Sequence, residues 1–490
     1  MKTDARDFSS PLATAPAFLL LICWCVSLVL TESLHFHPAL ATSISLLAAS
    51  GWGLAGTIEP NRSSLPVLFL LLFFATAGSL YLATTVARKE KLPVFVEGTG
   101  VVTSIREWGV QNVMLIDFRR ARFLVKTKEA REFFTPGDVV HFSGHAEPLE
   151  RASRRGAFDA FLYWRGKGVL CEIKAPHIEK TVPPRRSRGP SSWRFALGKK
   201  LREALPRRTA GYLLASWTGE KDPELVSLHR AAGTSHLLAV SGFHVGIVFS
   251  IAFFLLRGVP FRLYFLSVLL WTYILLAGSA PSAVRAGALL QSAILGRLIG
   301  RPHHSFNAIS SVGAAMLLFN PWIFWDVGWR MSMLAALSIT SVGASDIQRN
   351  WKIVASGVLV WLTTAISATW TFGYVPVVGL IVNFVAIPFF GVLLPLASLL
   401  SLPPLLGVPG GKIPVLFAEF AFARWEQFSG NMLQIFPWDV SFGLPLLLVS
   451  MTPMVYFFAV ASGFRKRRAS VTALFTTLFT LLFLFGVGKI

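Results

Sequence analysis

At 490 residues, 53% hydrophobic and only 14% charged, the chain is too apolar for an ordinary soluble protein. Its apolar residues fall in blocks without Asp, Glu, Lys or Arg, namely Pro11 to Leu30, Leu65 to Val86, Ala231 to Leu256, Leu263 to Val284 and Ile353 to Gly411. About 20 such residues cross the hydrocarbon core as a helix. A polytopic α-helical membrane protein is therefore predicted. The formal charge of +21 arises from 46 basic and 25 acidic residues, and only its placement carries further meaning.

Residues 1–87 are predicted to hold three transmembrane helices, near 16–31, 38–57 and 66–86. A cleaved signal peptide is not expected, because the first block lacks a small-residue cleavage site and two more spans follow at once. Cys23 and Cys25 lie within the first span and Cys171 stands alone, so no intramolecular disulfide is expected.

Residues 88–180 change period. Stretches at 94–104, 113–118 and 121–127 alternate apolar with polar, as half-buried strands do. Pro136-Gly137-Asp138 turns the chain into a fourth strand at 139–146, and a short helix near Phe158–Arg165 precedes a fifth at 168–175. Five strands with a helix before the last predict an inserted small β-barrel of the OB type, a fold that commonly binds single-stranded nucleic acid.

Residues 181–230 read as a basic linker followed by amphipathic helices. Thr181 to Pro190 is too rich in proline and arginine for regular structure, while Trp193, Leu197, Leu201 and Leu205 recur at four-residue intervals. Residues 231–490 then predict a second membrane domain of about ten segments, with the piece around 413–436 re-entrant or interfacial. With a cytoplasmic N-terminus, the basic short loops fall inside and residues 88–230 fall outside.

The polar residues within these blocks are the functional candidates. Gly233-Thr-Ser-His236-Leu-Leu-Ala-Val-Ser241-Gly-Phe-His244-Val-Gly246 heads a charge-free segment long enough to cross a bilayer. On one helix His236 and His244 would sit about 80° apart and border one face with Ser241. They serve either as hydrogen-bonding groups between packed helices or as the lining of an aqueous path. Arg285, at a span boundary, must reach a head group, an acid or water. Asp326 and Asn383 complete the candidate path, and Asn383 before Pro388 suggests a broken helix.

Between Arg185 and Arg208 lie nine basic residues and one acid, Glu203. Arg185, Arg186, Arg188, Arg194, Lys199, Lys200 and Arg202 suit either anionic lipid or a passing polyanion, as do Arg119, Arg120, Arg122 and Lys126 on the barrel. Trp108, Phe118 and Phe123 are candidates for stacking on bases, with core packing the expected fate of at least two of them. No catalytic residues, cofactor or metal site are expected. His35-Phe-His37 and His303-His304 lack carboxylate partners, and no P-loop occurs.

Five stretches together, in order and spacing, resemble the ComEC family of bacterial competence proteins. These are His236–Gly246, Tyr273-Ile-Leu-Leu-Ala-Gly-Ser-Ala-Pro-Ser-Ala-Val-Arg285-Ala, Asn320-Pro-Trp-Ile-Phe-Trp-Asp326-Val-Gly-Trp-Arg-Met-Ser332, Gly379-Leu-Ile-Val-Asn383-Phe-Val-Ala-Ile-Pro388 and Arg155–Gly168. Trp329 and Arg330 stand where the family has Phe and Gln. The family's metallo-β-lactamase-like domain has no counterpart in this sequence, and its His-x-His-x-Asp-His motif does not occur. The resemblance implies a channel in the bacterial plasma membrane importing single-stranded DNA during natural transformation. It further implies membrane lipids, an extracytoplasmic DNA receptor, a cytoplasmic translocase ATPase and a separate nuclease as partners. The rivals are an intramembrane enzyme using Ser241 and His244, and a small-molecule transporter.

Overall fold

The computed structural model describes residues 15–56, 65–88, 92–108, 111–127, 133–152, 159–181, 189–238, 240–300, 304–441 and 443–486. The chain divides into two compact units, interleaved in sequence. The first comprises residues 1–89, 288–375 and 438–490; the second comprises residues 90–287 and 376–437.

The first unit is helical. It holds α1 (Pro16–Leu28, continuing as a wider turn over Val29–Ser33), α2 (Pro38–Gly56) and α3 (Leu65–Ala87). Buried alanines and serines let these helices approach, as at Cys23 Sγ and Ser79 Oγ, 3.2 Å apart. Phe18 on α1 meets Phe306 at 4.8 Å and Phe458 at 5.8 Å between ring centroids, an apolar centre shared by three helices.

The second unit opens with a sheet. Strands β1 (Phe95–Trp108), β2 (Gln111–Phe118), β3 (Ala121–Thr127), β4 (Val139–Glu147) and β5 (Val169–Lys180) pair in the order β1-β2-β3-β5-β4. β4 pairs back onto β1, so the sheet closes on itself. Strand β1 serves both sides of the closure. Its first half pairs with β4 and its second half with β2, across a register shift between Val102 and Ser104. Such an irregularity bends and twists a strand. The interior holds Val96, Val102, Met114, Ile116, Phe123, Val125, Val140, Phe142, Cys171 and Ile173.

Simple alternation fails on β2, where residues 113–116 are all buried. The helix α4 (Ala160–Gly166) explains this. Its Trp164 packs with Val113, Leu115 and Leu124 on the outside of the sheet, giving that face a second small core. Phe123 belongs to the interior, and Phe118 packs against Phe142 at 5.6 Å, so neither ring is presented for stacking.

The helical half of the second unit begins with α5 (Pro190–Ala204), α6 (Arg207–Trp217) and α7 (Pro223–Ala231). Leu201 and Leu205 enter a core with Tyr212, Leu225, Phe390, Phe422 and Trp425. Trp193 does not join them. It sits in the first turn of α5, 57% exposed, beyond the reach of that core.

Ten helices of at least 14 residues follow residue 230 among the described residues. They are α8 (Gly242–Leu255), α9 (Arg262–Leu276), α10 (Pro281–Ile299), α11 (Ser305–Phe319), α12 (Val327–Ala344), α13 (Arg349–Phe372), α14 (Val378–Leu400), α16 (Lys412–Ile435), α17 (Leu444–Ala461) and α18 (Lys466–Gly486), with the single turn α15 (Leu402–Leu405) after α14. Four stretches of the described chain are long and apolar enough to cross a membrane: Pro16–Ser33, Leu70–Ala87, Arg349–Phe372 and Val378–Leu405.

Two expectations change here. The segment from Ala231 to Leu256 is not one helix. A short 3-10 turn, Ser235–Leu238, ends before residue 239, and α8 begins only at Gly242. At 1.5 Å per residue, α8 is about 21 Å long, short of a hydrocarbon core. The helix carrying Asn383 is, by contrast, continuous from Val378 to Leu400 despite Pro388 and Pro395.

Candidate functional site

The break between residues 233 and 242 is where the polar motifs of the second unit gather. Gly233 has φ +68°, and a Cβ there would lie 2.9 Å from the Cα of Gly379. The two backbones touch, and only glycine allows it. Asn383, one turn along α14, donates from Nδ2 to the carbonyls of Gly379 (2.7 Å) and Gly233 (3.3 Å). Its bonds therefore close the helix onto the break rather than opening the helix. Its Oδ1 is buried without a partner.

The other side of the break is held by α10. Ser282 Oγ donates to the Val240 carbonyl at 2.8 Å. Arg285 lies one turn further on, with Nη2 3.3 Å from where a Cβ on Gly242 would stand. Three of the stretches singled out in the sequence, around 236–246, 273–286 and 379–388, thus meet at one place. Asp326 belongs to the other unit and serves locally. It caps α12 by accepting from the Trp329 N–H at 2.8 Å.

Ser241 and His244 form a reciprocal cap at the start of α8. Ser241 Oγ lies 3.1 Å from His244 Nδ1, and the Ser241 N–H donates to the same nitrogen at 3.4 Å. Nδ1 is thereby an acceptor, which assigns the ring proton to Nε2. That nitrogen is buried and unpartnered. A serine nucleophile would need this histidine oriented from its far nitrogen. No described carboxylate does so. His236 lies off this helix on the 3-10 turn, with its side chain exposed. The two histidines consequently do not share a helical face, because the chain turns between them.

The basic residues divide sharply. Arg122 is fixed by Asp117 through Nε (2.6 Å) and Nη2 (2.9 Å), and that hydrogen-bonded partner raises its pKa. Lys126 pairs with the buried Glu172 at 2.9 Å, alongside Lys174 at 3.0 Å. Arg202 is bound by Glu220, and Lys199 lies 3.8 Å from Glu203. Arg119, Arg120 and Lys200 remain exposed, with Arg119 packed over the Phe118 ring. Arg194 lies against Gly278, whose Cβ would run into its Nη1. Arg185, Arg186 and Arg188 lie outside the described residues.

A set of mutually interacting cations with no signature in the sequence is drawn from the sheet and from α5–α7. Lys221 is held below its ordinary pKa, first by burial and then by Arg106, Lys167 and Arg230. Arg194 is lowered likewise, by burial and by Arg106 and Arg122. These side chains come from β1, β3, the turn after α4, α5, α7 and the turn before α7. Each of these like charges disfavours the charged form of Lys221 or Arg194. Lys221 retains accessible surface although protein surrounds it. No sequence window shows the cluster, since its members are spread from residue 106 to 230.

Among the described residues no three His, Cys, Asp or Glu side chains are grouped to hold a metal ion. The model of a family described as competence protein matches residues 213–467. The chain is 26% identical over 220 residues to ComE operon protein 3 of Bacillus subtilis (strain 168). That similarity covers 43% of this chain but only 28% of the relative's length. No solved structure matches the chain.

Proposed function

The chain belongs to the competence protein family, and from that premise we propose that it conducts single-stranded DNA across the bacterial plasma membrane during natural transformation. The observation that carries this reading is the cluster of Arg106, Lys167, Arg194, Lys221 and Arg230 in the unit that also holds the broken segment. Such a cluster costs free energy in the folded protein and is relieved by a polyanion. The closed sheet is read as an OB-type barrel, and residues 88–230 as extracytoplasmic. DNA meets the cations first and then the polar groups around residues 233–242. Domain limits at 87, 180 and 230 follow the same reading.

The resemblance noted in the sequence supplies the rest of the reading. A receptor outside, a translocase ATPase inside and a nuclease on a separate polypeptide complete the system, and the chain itself is read as a conduit rather than a hydrolase. The Ser241–His244 pair favours the conduit, because helix capping accounts for its geometry.

The test is transformation. A chromosomal deletion should abolish uptake of a selectable marker, and the unaltered gene supplied in trans should restore it. The double change Lys221→Glu and Arg230→Glu should fail to restore it while the protein stays in the membrane at a normal level. Full restoration by that variant would remove the observation on which the reading rests.

A further inference from the structure

Beside the start of α8 lies a buried charge that no described residue neutralises. Arg285 is 7% exposed and its Nε is fully enclosed without a hydrogen bond. No described residue makes an ion pair with its guanidinium. Burying an unpaired guanidinium is expensive, and proteins ordinarily place an acid beside it. The first turn of a 14-residue helix stands beside it instead. Nη2 lies 3.3 Å from the position a Cβ on Gly242 would take, and Ala286 Cβ lies 3.2 Å from it. The bare Cα of Gly242 leaves room for Nη2 against that turn.

The turn is itself electropositive. Ser241 caps α8, and its own N–H is taken by His244 Nδ1. Among the described residues nothing accepts from the N–H groups of Gly242 and Phe243. Free N–H groups at the head of a helix, together with the helix dipole, favour an anion. The start of α10, the helix that carries Arg285, is tied alongside through Ser282 Oγ, which donates to the Val240 carbonyl.

We propose that the guanidinium of Arg285 and the Gly242 and Phe243 N–H groups form a site for one phosphate group, which they hold stripped of most of its water. A monoanionic phosphodiester matches the single positive charge, and guanidinium recognises phosphate oxygens in pairs. The site deepens the function proposed above and rests on it for the identity of the phosphate: each phosphodiester of a passing strand would dwell there in turn. A lipid phosphate offers the same chemistry, so the source has to be separated by experiment.

The full chain in a maltoside detergent free of phospholipid is mixed with a 20-residue thymidine oligonucleotide, and amide hydrogen exchange is followed at Gly242 and Phe243. The oligonucleotide should slow exchange there roughly tenfold or more, since a charge-assisted hydrogen bond holds each amide. Arg285→Gln and Gly242→Ala should lose that protection. Arg285→Gln should nevertheless leave the thermal midpoint unchanged or higher without DNA, because it removes an unpaired buried charge. A merely structural arginine would lower it. Equal protection in the wild type and in Arg285→Gln would overturn the site while leaving DNA conduction intact. Absence of any oligonucleotide binding at low salt would overturn conduction instead. Nanodiscs containing phosphatidylglycerol form the third arm. Protection of both amides by that lipid alone, with nothing added by DNA, would confirm a phosphate site but assign it to a head group and overturn its role on the strand.

Discussion

His229 shows how one side chain ties helices together and what that implies for pH. Its Nε2 lies 3.0 Å from Tyr212 Oη and its Nδ1 lies 2.8 Å from Thr234 Oγ1, while Tyr212 stacks on Phe422 at 4.1 Å. Burial pushes its pKa down from 6.5 to about 4. The folded state therefore refuses a proton that the unfolded chain accepts. Stability is fully present above pH 6.5 and is lost as the pH falls from there toward 4, by an amount on the order of 3 kcal/mol. The thermal midpoint of detergent-solubilised protein should drop between pH 7 and pH 5, and His229→Gln should make that drop shallower. An equal drop in both proteins would show that other groups govern the acid response. Glu419 offers a second check. It accepts from the Arg208 N–H (3.2 Å), the Thr209 N–H (2.8 Å) and Thr209 Oγ1 (2.9 Å), satisfying the head of α6. Glu419→Ala should cost about 1–3 kcal/mol, with Glu419→Gln milder, as read by the same midpoint. Neither role was legible in sequence. The run Arg185–Arg208 read as a basic patch because Glu220, Glu224, Glu419 and Glu426, which bind Arg202, Arg207 and Arg208, lie up to 218 positions away.

Period and composition located most elements well, and the exceptions have physical causes. The strands, the short helix before β5 and the amphipathic α5 followed from alternation and four-residue spacing. The double burial on β2 did not, because a strand's outer face is decided by what covers it, here Trp164. The break before α8 was visible only in part. The glycines and serines of 233–242 signalled something other than a lipid-facing helix, but hydropathy has no measure for a cap. The close approach of Gly233 to Gly379 was out of reach, since it joins residues 146 positions apart. It yields a prediction at this level. Gly233→Ala places a methyl group 2.9 Å from a backbone Cα in a left-handed conformation. About 1–2 kcal/mol is lost to the backbone alone, and α14 must also move away. The midpoint should fall by several degrees, and more than for Gly246→Ala, whose added Cβ meets nothing within 4 Å. Similar losses at the two positions would deny the close approach any structural weight.

Across the molecule the acids decide which cations are left to act. In the second unit Asp117, Asp138, Glu172, Glu220, Glu224 and Glu426 each hold a lysine or arginine. Arg106, Arg119, Arg120, Lys200, Lys221 and Arg230 have no such partner among the described residues. Neutralising Arg106, Lys221 and Arg230 to glutamine should weaken binding of single-stranded DNA by the full chain. It should also flatten the log–log dependence on salt, by about 0.7 for each phosphate no longer neutralised. Neutralising Arg122, Lys126 and Arg202 should lower the thermal midpoint and leave that slope in place. The reverse pattern would mean that the ion-paired residues, not the clustered ones, meet the strand. Net charge and its segregation into residues 88–230 were plain in the sequence; which charges survive pairing is a property of the fold.

The interleaving of the two units has a consequence for the order of events during synthesis. The closed sheet is complete once β5 has been made, because that strand pairs with both β3 and β4. The helical core beside it is not. Leu201, Tyr212 and Leu225 must wait for Phe390, Phe422 and Trp425, which the ribosome supplies only after the first unit's middle segment, residues 288–375, has been made. For the time needed to make some 160 further residues, at roughly 5–20 per second, α5–α7 carry a bare apolar face. A nascent chain arrested before residue 376 should thus be cut by protease within residues 189–231 yet resist within 95–180, a pattern that the finished protein would no longer show.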